Sequence, residues 1–354
     1  MGILIRKPLL PMVLSTIAGL TGCNMNTSPV TTNGSTLSFA VTAAVSAINP
    51  PQELQITIAN EFGFFRERNV PNPGNNGSIQ FPDVPFSHLF VDIQGFNNGI
   101  KTLFGHSEAE IAGPNANVNV VLRNALTTKT LTNTQELLFR QIATQRSVFW
   151  DNAPASATAL CSTASGNATL RTTLLSSRQY LYFLFEITDN FFFTEDRADN
   201  QIGEMTADAV IVYLCKSPPH NLNPGTGVFP AVRLQCEVGK SLDEICRFNF
   251  INFSNDQTRN FTISALDNDE VNGRMLRRIA DDPARRILEL RINKELLGLP
   301  VIAIDTDQLF GTVIRYRNSY DAAQPSELSD WQSGQAETDP KTKLASWGYL
   351  DITP

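Results

Sequence analysis

The sequence predicts an all-β protein: two antiparallel β-sandwich domains that follow a cleaved leader. Three observations carry this expectation. Apolar and polar residues alternate with period two along much of the chain, Gly/Pro/Asn clusters punctuate the alternating runs, and only one short stretch repeats its apolar residues at helical spacing. Apolar residues make up 42% of the 354, enough for real cores, while charged residues are only 18%. With Thr, Asn, Ser and Gly abundant, that balance fits an extracytoplasmic β protein better than a cytosolic helical one.

The first stretch is read before the strands. Arg6 and Lys7 form a basic pair, and Pro8 to Leu20 is apolar but too short to cross a bilayer of about 30 Å. Leu20-Thr21-Gly22-Cys23 resembles the bacterial lipobox, in which small residues admit a signal peptidase and the cysteine thiol receives a diacylglyceryl group. The resemblance implies that residues 1–22 are removed and that Cys23 becomes the acylated first residue, carrying fatty chains of the palmitate class. Each buried methylene contributes about 0.8 kcal/mol, so two or three acyl chains hold a folded domain on a lipid bilayer. The expected location is the bacterial cell envelope, lipid-anchored, at the outer membrane, periplasmic or surface-exposed.

The elements follow in order. Residues 23–35 are rich in Thr, Ser and Asn, with Pro29 and Gly34, and read as a flexible tether. Residues 36–126 form a small sandwich of immunoglobulin or transthyretin type. Its strands are Leu54, Ile56 and Ile58 alternating with Glu53, Gln55 and Thr57, then Leu89, Val91 and Ile93, then Val118, Val120 and Leu122. Turns fall at residues 71–77 and 113–115. Residues 127–145 read as a linker with a helix over Gln135 to Ala143, with Leu137, Leu138 and Ile142 on one face. In residues 146–354, Tyr180 to Ile187 and Asp208 to Leu214 are apolar on both faces, as in strands covered on both sides. Arg286 to Ile292 alternates, with Leu288, Leu290 and Ile292 inward and Glu289 and Arg291 outward. Val301 to Ile304, Thr312 to Tyr316 and Trp347 to Ile352 complete the strands.

Five pieces of this second half stand in a telling order. They are Leu181 to Asp189 with its Glu186-Ile187-Thr188-Asp189 turn, Asp208-Ala209-Val210-Ile211-Val212-Tyr213-Leu214, Leu288 to Leu299 with its Leu296-Leu297-Gly298-Leu299 turn, Trp331, and Trp347-Gly348-Tyr349-Leu350. Together they resemble a family 9 carbohydrate-binding module, a DOMON-like β-sandwich. The resemblance implies non-catalytic recognition of a glycan, in which a sugar ring's C–H groups lie on an aromatic face while polar groups take its hydroxyls. Trp331 is the platform candidate, with Tyr316, Tyr320 and Phe192 beside it; Trp150 and Trp347 read as core. Phe191-Phe192-Phe193 cannot all point inward from one strand, so part of it caps the sandwich or is exposed. Glu195, Asp196 and Asp199 offer oxygen ligands suited to calcium, which related modules often carry. Asp267 to Gly273 is no EF-hand, since Val271 and Arg278 would occupy ligand positions five and twelve.

Charge and cysteines narrow the function further. The formal net charge is −7 and grows more negative without Arg6 and Lys7, so the basic footprint that nucleic acid needs is absent. Cys161, Cys215, Cys236 and Cys246 form an even set in an exported chain and favour two disulfides. Three connectivities exist, and we expect Cys236 with Cys246 and Cys161 with Cys215. Zinc is disfavoured because no C-x-x-C occurs and His88, His106 and His220 lie far apart in sequence. Gly105-His106-Ser107-Glu108-Ala109 lacks the strand-to-helix setting of a nucleophile elbow, H-E-x-x-H and phosphate loops are absent, and no C-x-x-C-H supports haem beside Met205 or Met275. The sequence thus predicts a non-enzymatic, membrane-anchored glycan-binding lipoprotein. The alternative is a structural or adhesive envelope lipoprotein that binds another protein.

Overall fold

The computed structural model describes residues 35–43, 51–71, 73, 78–139, 148–163, 165–192, 208–223, 229–237, 246–252, 257–263, 271–277, 284–299, 308–319, 327–332, 340 and 343–354. For 35–43, 246–252, 257–263 and 271–277 the description is of the strand path alone. The strands in chain order are β1 Ser35–Ala43, β2 Glu53–Ala59, β3 Phe65–Pro71, β4 Ser78–Val84, β5 His88–Asn97, β6 Ile100–Glu110 and β7 Asn115–Lys129. After the helix α1 Asn133–Phe139 come β8 Thr158–Ser162, β9 Ala168–Ser176, β10 Tyr180–Asp189, β11 Ala209–Cys215, β12 Ala231–Glu237, β13 Cys246–Asn252 and β14 Gln257–Ile263. The last are β15 Val271–Arg277, β16 Arg285–Asn293, β17 Gln308–Asn318, β18 Glu327–Asp330 and β19 Gly348–Thr353. The protein is all-β, as its alternation predicts.

The strands pair into two open sheets, one running from β14 through β13, β12, β11, β17, β19, β7, β6, β5 and β2 to β3, the other ordered β15, β16, β10, β9, β8. β1 joins the first sheet beside β4 and β7, and β18 joins it beside β17. Near the amino terminus, Leu54, Ile56 and Ile58 of β2 and Leu89, Val91 and Ile93 of β5 pack on Ile79, Phe81, Val118, Val120 and Leu122. Nearer the carboxyl terminus, β10 and β16 face β11, β12, β17 and β19 across a second core that includes Phe183, Phe185, Val210, Val212, Leu288, Leu290, Ile314 and Leu350. Phe183 and Phe185, two apart on β10 and therefore on one face, stack at 5.7 Å.

β7 ties the halves together. Its first part runs parallel to β1, its middle meets Leu103 and Phe104 of β6, and its last residues run parallel to β19. The boundary expected at residue 126 therefore falls inside one continuous strand, and two pairings are parallel in a fold expected to be antiparallel. A parallel neighbour is available because β1 and β19 come from distant parts of the chain, with no hairpin to reverse them.

Other expectations need correction. Glu289 and Arg291 do point away from the inter-sheet core, but they are buried, because Leu131, Phe139, Phe149 and Trp150 pack a third cluster onto the outside of β10 and β16. The helix starts earlier than expected and exposes Leu137; Phe139 is its buried anchor, and Ile142 lies outside the described residues. Cys161 and Cys215 are buried free thiols, one between the sheets and the other on the outer face of β11, so the disulfide expected between them is not formed. Burial pushes the Cys161 thiol up to about 12, against a partial offset from a hydrogen bond with Ser329. Opposite Cys236 the β12–β13 ladder places Phe248, so Cys246 sits on the diagonal. The Cys246 side chain and the strand expected at Val301 to Ile304 lie outside the described residues.

Candidate functional site

Of the residues expected to form an aromatic rim, Tyr316, Phe192 and Trp331 are among those described. Tyr316 is fully buried, and its hydroxyl donates to Asp189 Oδ2 at 2.8 Å. Burial, then the nearby Asp208 and Asp189, push its pKa well up. A ring so enclosed offers no face to a sugar, because central β17 is covered on both sides. Burial also raises the Asp189 carboxyl, although Tyr316 and the Phe191 N–H, at 3.1 Å, hydrogen-bond to it. Phe192 is partly buried on the inter-sheet core with the Arg286 guanidinium 4.2 Å from its ring centroid, while Phe191 is exposed.

Trp331 is half-buried, its N–H donating to Ile314 O at 3.0 Å. One edge of its ring lies against Gly348, where an added Cβ would come within 2.6 Å of Trp331 Cζ3 and 2.7 Å of Asn124 O. Only glycine permits that approach. Trp150 and Trp347 are fully buried, and Trp347 Nε1 donates to Pro340 O at 2.8 Å. Cys23, Tyr320, Glu195, Asp196 and Asp199 lie outside the described residues.

A different set of residues converges on the outer face of β10 and β16. Thr132 and Gln135 form a capping box that starts α1: the Gln135 side chain accepts from Thr132 N at 2.9 Å, and Gln135 N donates to Thr132 Oγ1 at 3.4 Å. This sets Glu136 above the sheet, where it accepts from the Tyr182 hydroxyl at 2.9 Å. Tyr180 and Tyr182 share the outer side of β10, and Arg291 is the cross-strand partner of Tyr182 on β16. The Arg291 guanidinium lies 4.5 Å from the Tyr180 ring centroid, within cation–π range.

Between helix and sheet these groups leave a cleft of about 260 Å³ lined by Asn133, Thr134, Glu136, Leu137, Tyr180, Tyr182 and Arg291. Arg291 is only 7% exposed, and its Nε has no hydrogen-bond partner among the described residues. Lys294, three residues beyond Arg291, is buried and donates to Ser177 O at 2.6 Å. Burial lowers its pKa to about 8, with Glu136 opposing the shift. The cleft thus offers an aromatic ring, a guanidinium, an amide, a hydroxyl and a carboxylate. Glycoside hydrolysis ordinarily takes two carboxyl groups, and Glu136 alone among the lining residues supplies one. No sequence motif marked the cleft, although Thr-x-x-Gln at residues 132–135 was a legible helix start.

The histidines, distant in sequence, meet where the halves join. His106 Nδ1 lies 2.6 Å from Asp92 Oδ1, its ring lies 4.3 Å from that of His220, and His220 Nδ1 is 3.3 Å from the Tyr349 hydroxyl. Glu108 stands 3.6 Å from His106 Nε2 and 3.5 Å from His88 Nε2. Among the described residues no group of three or more His, Cys, Asp or Glu is disposed to hold a metal ion. The cluster reads as a polar seam between the two halves.

No family model matches the chain, and no curated protein matches it. Among solved structures it is similar to a family 9 carbohydrate-binding module from Caldicellulosiruptor kristjanssonii in complex with glucose, at 12% identity and TM-score 0.35, covering 65% of this chain and 95% of that one. The same type of module from that organism in complex with cellotriose gives 13% identity, TM-score 0.35 and coverage of 65% and 93%. A candidate carbohydrate-binding protein from Bacteroides uniformis gives 11%, TM-score 0.41 and coverage of 65% and 99%. The strand pairing described above, not these overlaps, carries the fold assignment.

Proposed function

We propose that this chain is a membrane-anchored extracytoplasmic lipoprotein that recognises carbohydrate without transforming it, seating a saccharide unit in the cleft between α1 and the β10–β16 pair. The observation that supports recognition is the convergence of the Tyr180 ring, Arg291 with its unpartnered Nε, Glu136 and Asn133 around one small cleft. Sugars are amphipathic: their C–H faces suit an aromatic ring and their hydroxyls suit planar polar groups. Asn133 and Arg291 supply donors, and Glu136 accepts. The anchor reading is supported by Arg6-Lys7, the apolar segment and Leu20-Thr21-Gly22-Cys23.

The test is a glycan array followed by titration, using the chain from residue 23 with Cys23→Ser. Saturable binding that weakens at least tenfold in Tyr180→Ala and holds in Trp331→Ala is the expected result. Loss in Trp331→Ala alone would move the site to Trp331, and silence on every glycan would favour the structural or adhesive alternative. The intact mass of the mature protein reads the acyl group on Cys23.

A further inference from the structure

One end of the amino-terminal sandwich is tipped with exposed aromatic side chains on braced loops. Phe62 is 85% exposed and Phe65 61%, both at the β2–β3 hairpin, and Phe86, on the β4–β5 turn, is 45% exposed. Asn60 holds the two loops together. Its Oδ1 accepts from Phe62 N at 2.9 Å and Phe64 N at 2.8 Å, and its Nδ2 donates to Ser87 Oγ at 3.1 Å. Gly63, at φ +87°, makes the tight turn possible. The loops that carry the phenylalanines are therefore braced by Asn60, and exposed aromatics gathered on one tip mark an interaction surface.

The path of the chain indicates the partner. β1 begins at Ser35, which pairs with Val84, two residues before Phe86. Whatever precedes Ser35 thus leaves the fold at the end that carries the aromatics. Eleven residues lie between Cys23 and Ser35, which limits the reach from the anchor to about 40 Å even for a fully extended chain. β7 starts at this end too, beside β1, and its 15 residues at about 3.3 Å each carry the chain roughly 50 Å to the end where α1 and the cleft begin.

We propose that the Phe62–Phe65–Phe86 tip is a membrane-contacting surface that inserts into the lipid bilayer on which Cys23 is anchored, standing the sandwich upright with the cleft facing away. This rests on the anchor reading for its orientation. The tip itself acts through the amphipathic logic of interfacial aromatics, apolar rings entering the acyl boundary while Glu61, Arg66 and Arg68 stay at the headgroups.

The experiment uses the chain from residue 23, which retains every described strand, with Cys23→Ser so that no acyl group contributes. It is sedimented with vesicles of phosphatidylethanolamine and phosphatidylglycerol. The unsubstituted tip is expected to partition, and Phe62→Ser/Phe65→Ser/Phe86→Ser to partition at least about tenfold less. Phe62→Trp should shift its emission to the blue on vesicles and be quenched by brominated acyl chains, a reading that does not depend on the triple variant folding. Equal partition of parent and triple variant overturns the proposal. So does a triple variant that alters only self-association, or only binding to another protein. Insertion of the tip by a chain whose natural form proves unacylated upholds the tip and overturns the anchor reading alone.

Discussion

The two sandwiches solve the same packing problem at different cost in polarity. In the amino-terminal one, β2 and β5 alternate buried and part-exposed residues along their length, one side facing the aliphatic core and the other facing outward, and edge strand β3 is almost wholly exposed. In the carboxyl-terminal one, β11 is buried at every position and β16 at all but its ends, so polar side chains that would face water are enclosed. Arg233, Gln235, Arg286, Glu289, Arg291, Lys294, Arg315 and Asp330 are all buried there. Covering a sheet on both sides multiplies apolar contact but forces every enclosed charge to find a partner. The same enclosure creates the cleft. A one-sided sheet has no outer layer to leave a gap beneath.

The contrast is sharpest at polar side-chain contacts. Arg315 Nη2 lies 3.4 Å from Asp330 Oδ2 and 2.7 Å from Ser346 Oγ, all buried, so Arg315→Ala should destabilise by about 3–5 kcal/mol by breaking a buried charge pair. The exposed Gln55–Glu67 contact of the first sandwich, at 3.0 Å, should give about 0.5 kcal/mol or less on Gln55→Ala. Urea unfolding of both variants checks this, and equal losses would break the comparison.

Lys294 sharpens it by pH. Its folded value of about 8 lies below the ordinary 10.5, so between these values the unfolded chain binds a proton that the folded chain has released. Stability should therefore rise as pH climbs from about 8 to about 10.5, by on the order of 2 kcal/mol, and be flat in this respect below that window. Lys294→Met should remove the rise, and thermal melts at intervals across the window would show whether it does. The aliphatic core gives an effect smaller than either buried charge, though not smaller than the exposed Gln55 contact. Ile56→Val should cost about 0.5–1.5 kcal/mol, with no dependence on pH, since only a methylene is lost from a fully buried site.

The amino-terminal strands were legible because a sheet wet on one face writes its register into period-two alternation. Leu54, Ile56, Ile58, Leu89, Val91 and Ile93 are buried as their spacing implies. Asn98-Gly99, at φ +51° and +73°, makes the β5–β6 turn that such a pair signals. Tyr180 to Ile187 and Asp208 to Leu214, apolar on both faces, correctly announced strands covered on both sides. What covers them was not readable. Glu289 and Arg291 looked solvated because alternation reports the side of a sheet, not whether a helix and a tryptophan lie over it.

The candidate site was illegible for a related reason. Asn133, Glu136, Tyr180 and Arg291 become neighbours only when β10 pairs with β16 and α1 settles on both, and no local pattern encodes that meeting. The histidines behave likewise, His106 and His220 touching across the seam between the halves. Trp331 and Tyr316 drew notice as aromatics near a polar loop, yet residue type alone does not distinguish a platform from core.

By itself the amino-acid sequence determined that this protein is built of strands and which residues of the one-sided sheets turn inward. These follow from short-range physics: pleat periodicity, turn geometry and side-chain polarity. Tertiary structure alone decided that β7 runs through both halves, that buried charges line the outer face of β10 and β16, and that three phenylalanines share one tip. Those features depend on which distant strands pair and which segments lie over them, and a free energy summed over long-range contacts is not written in any single stretch of chain.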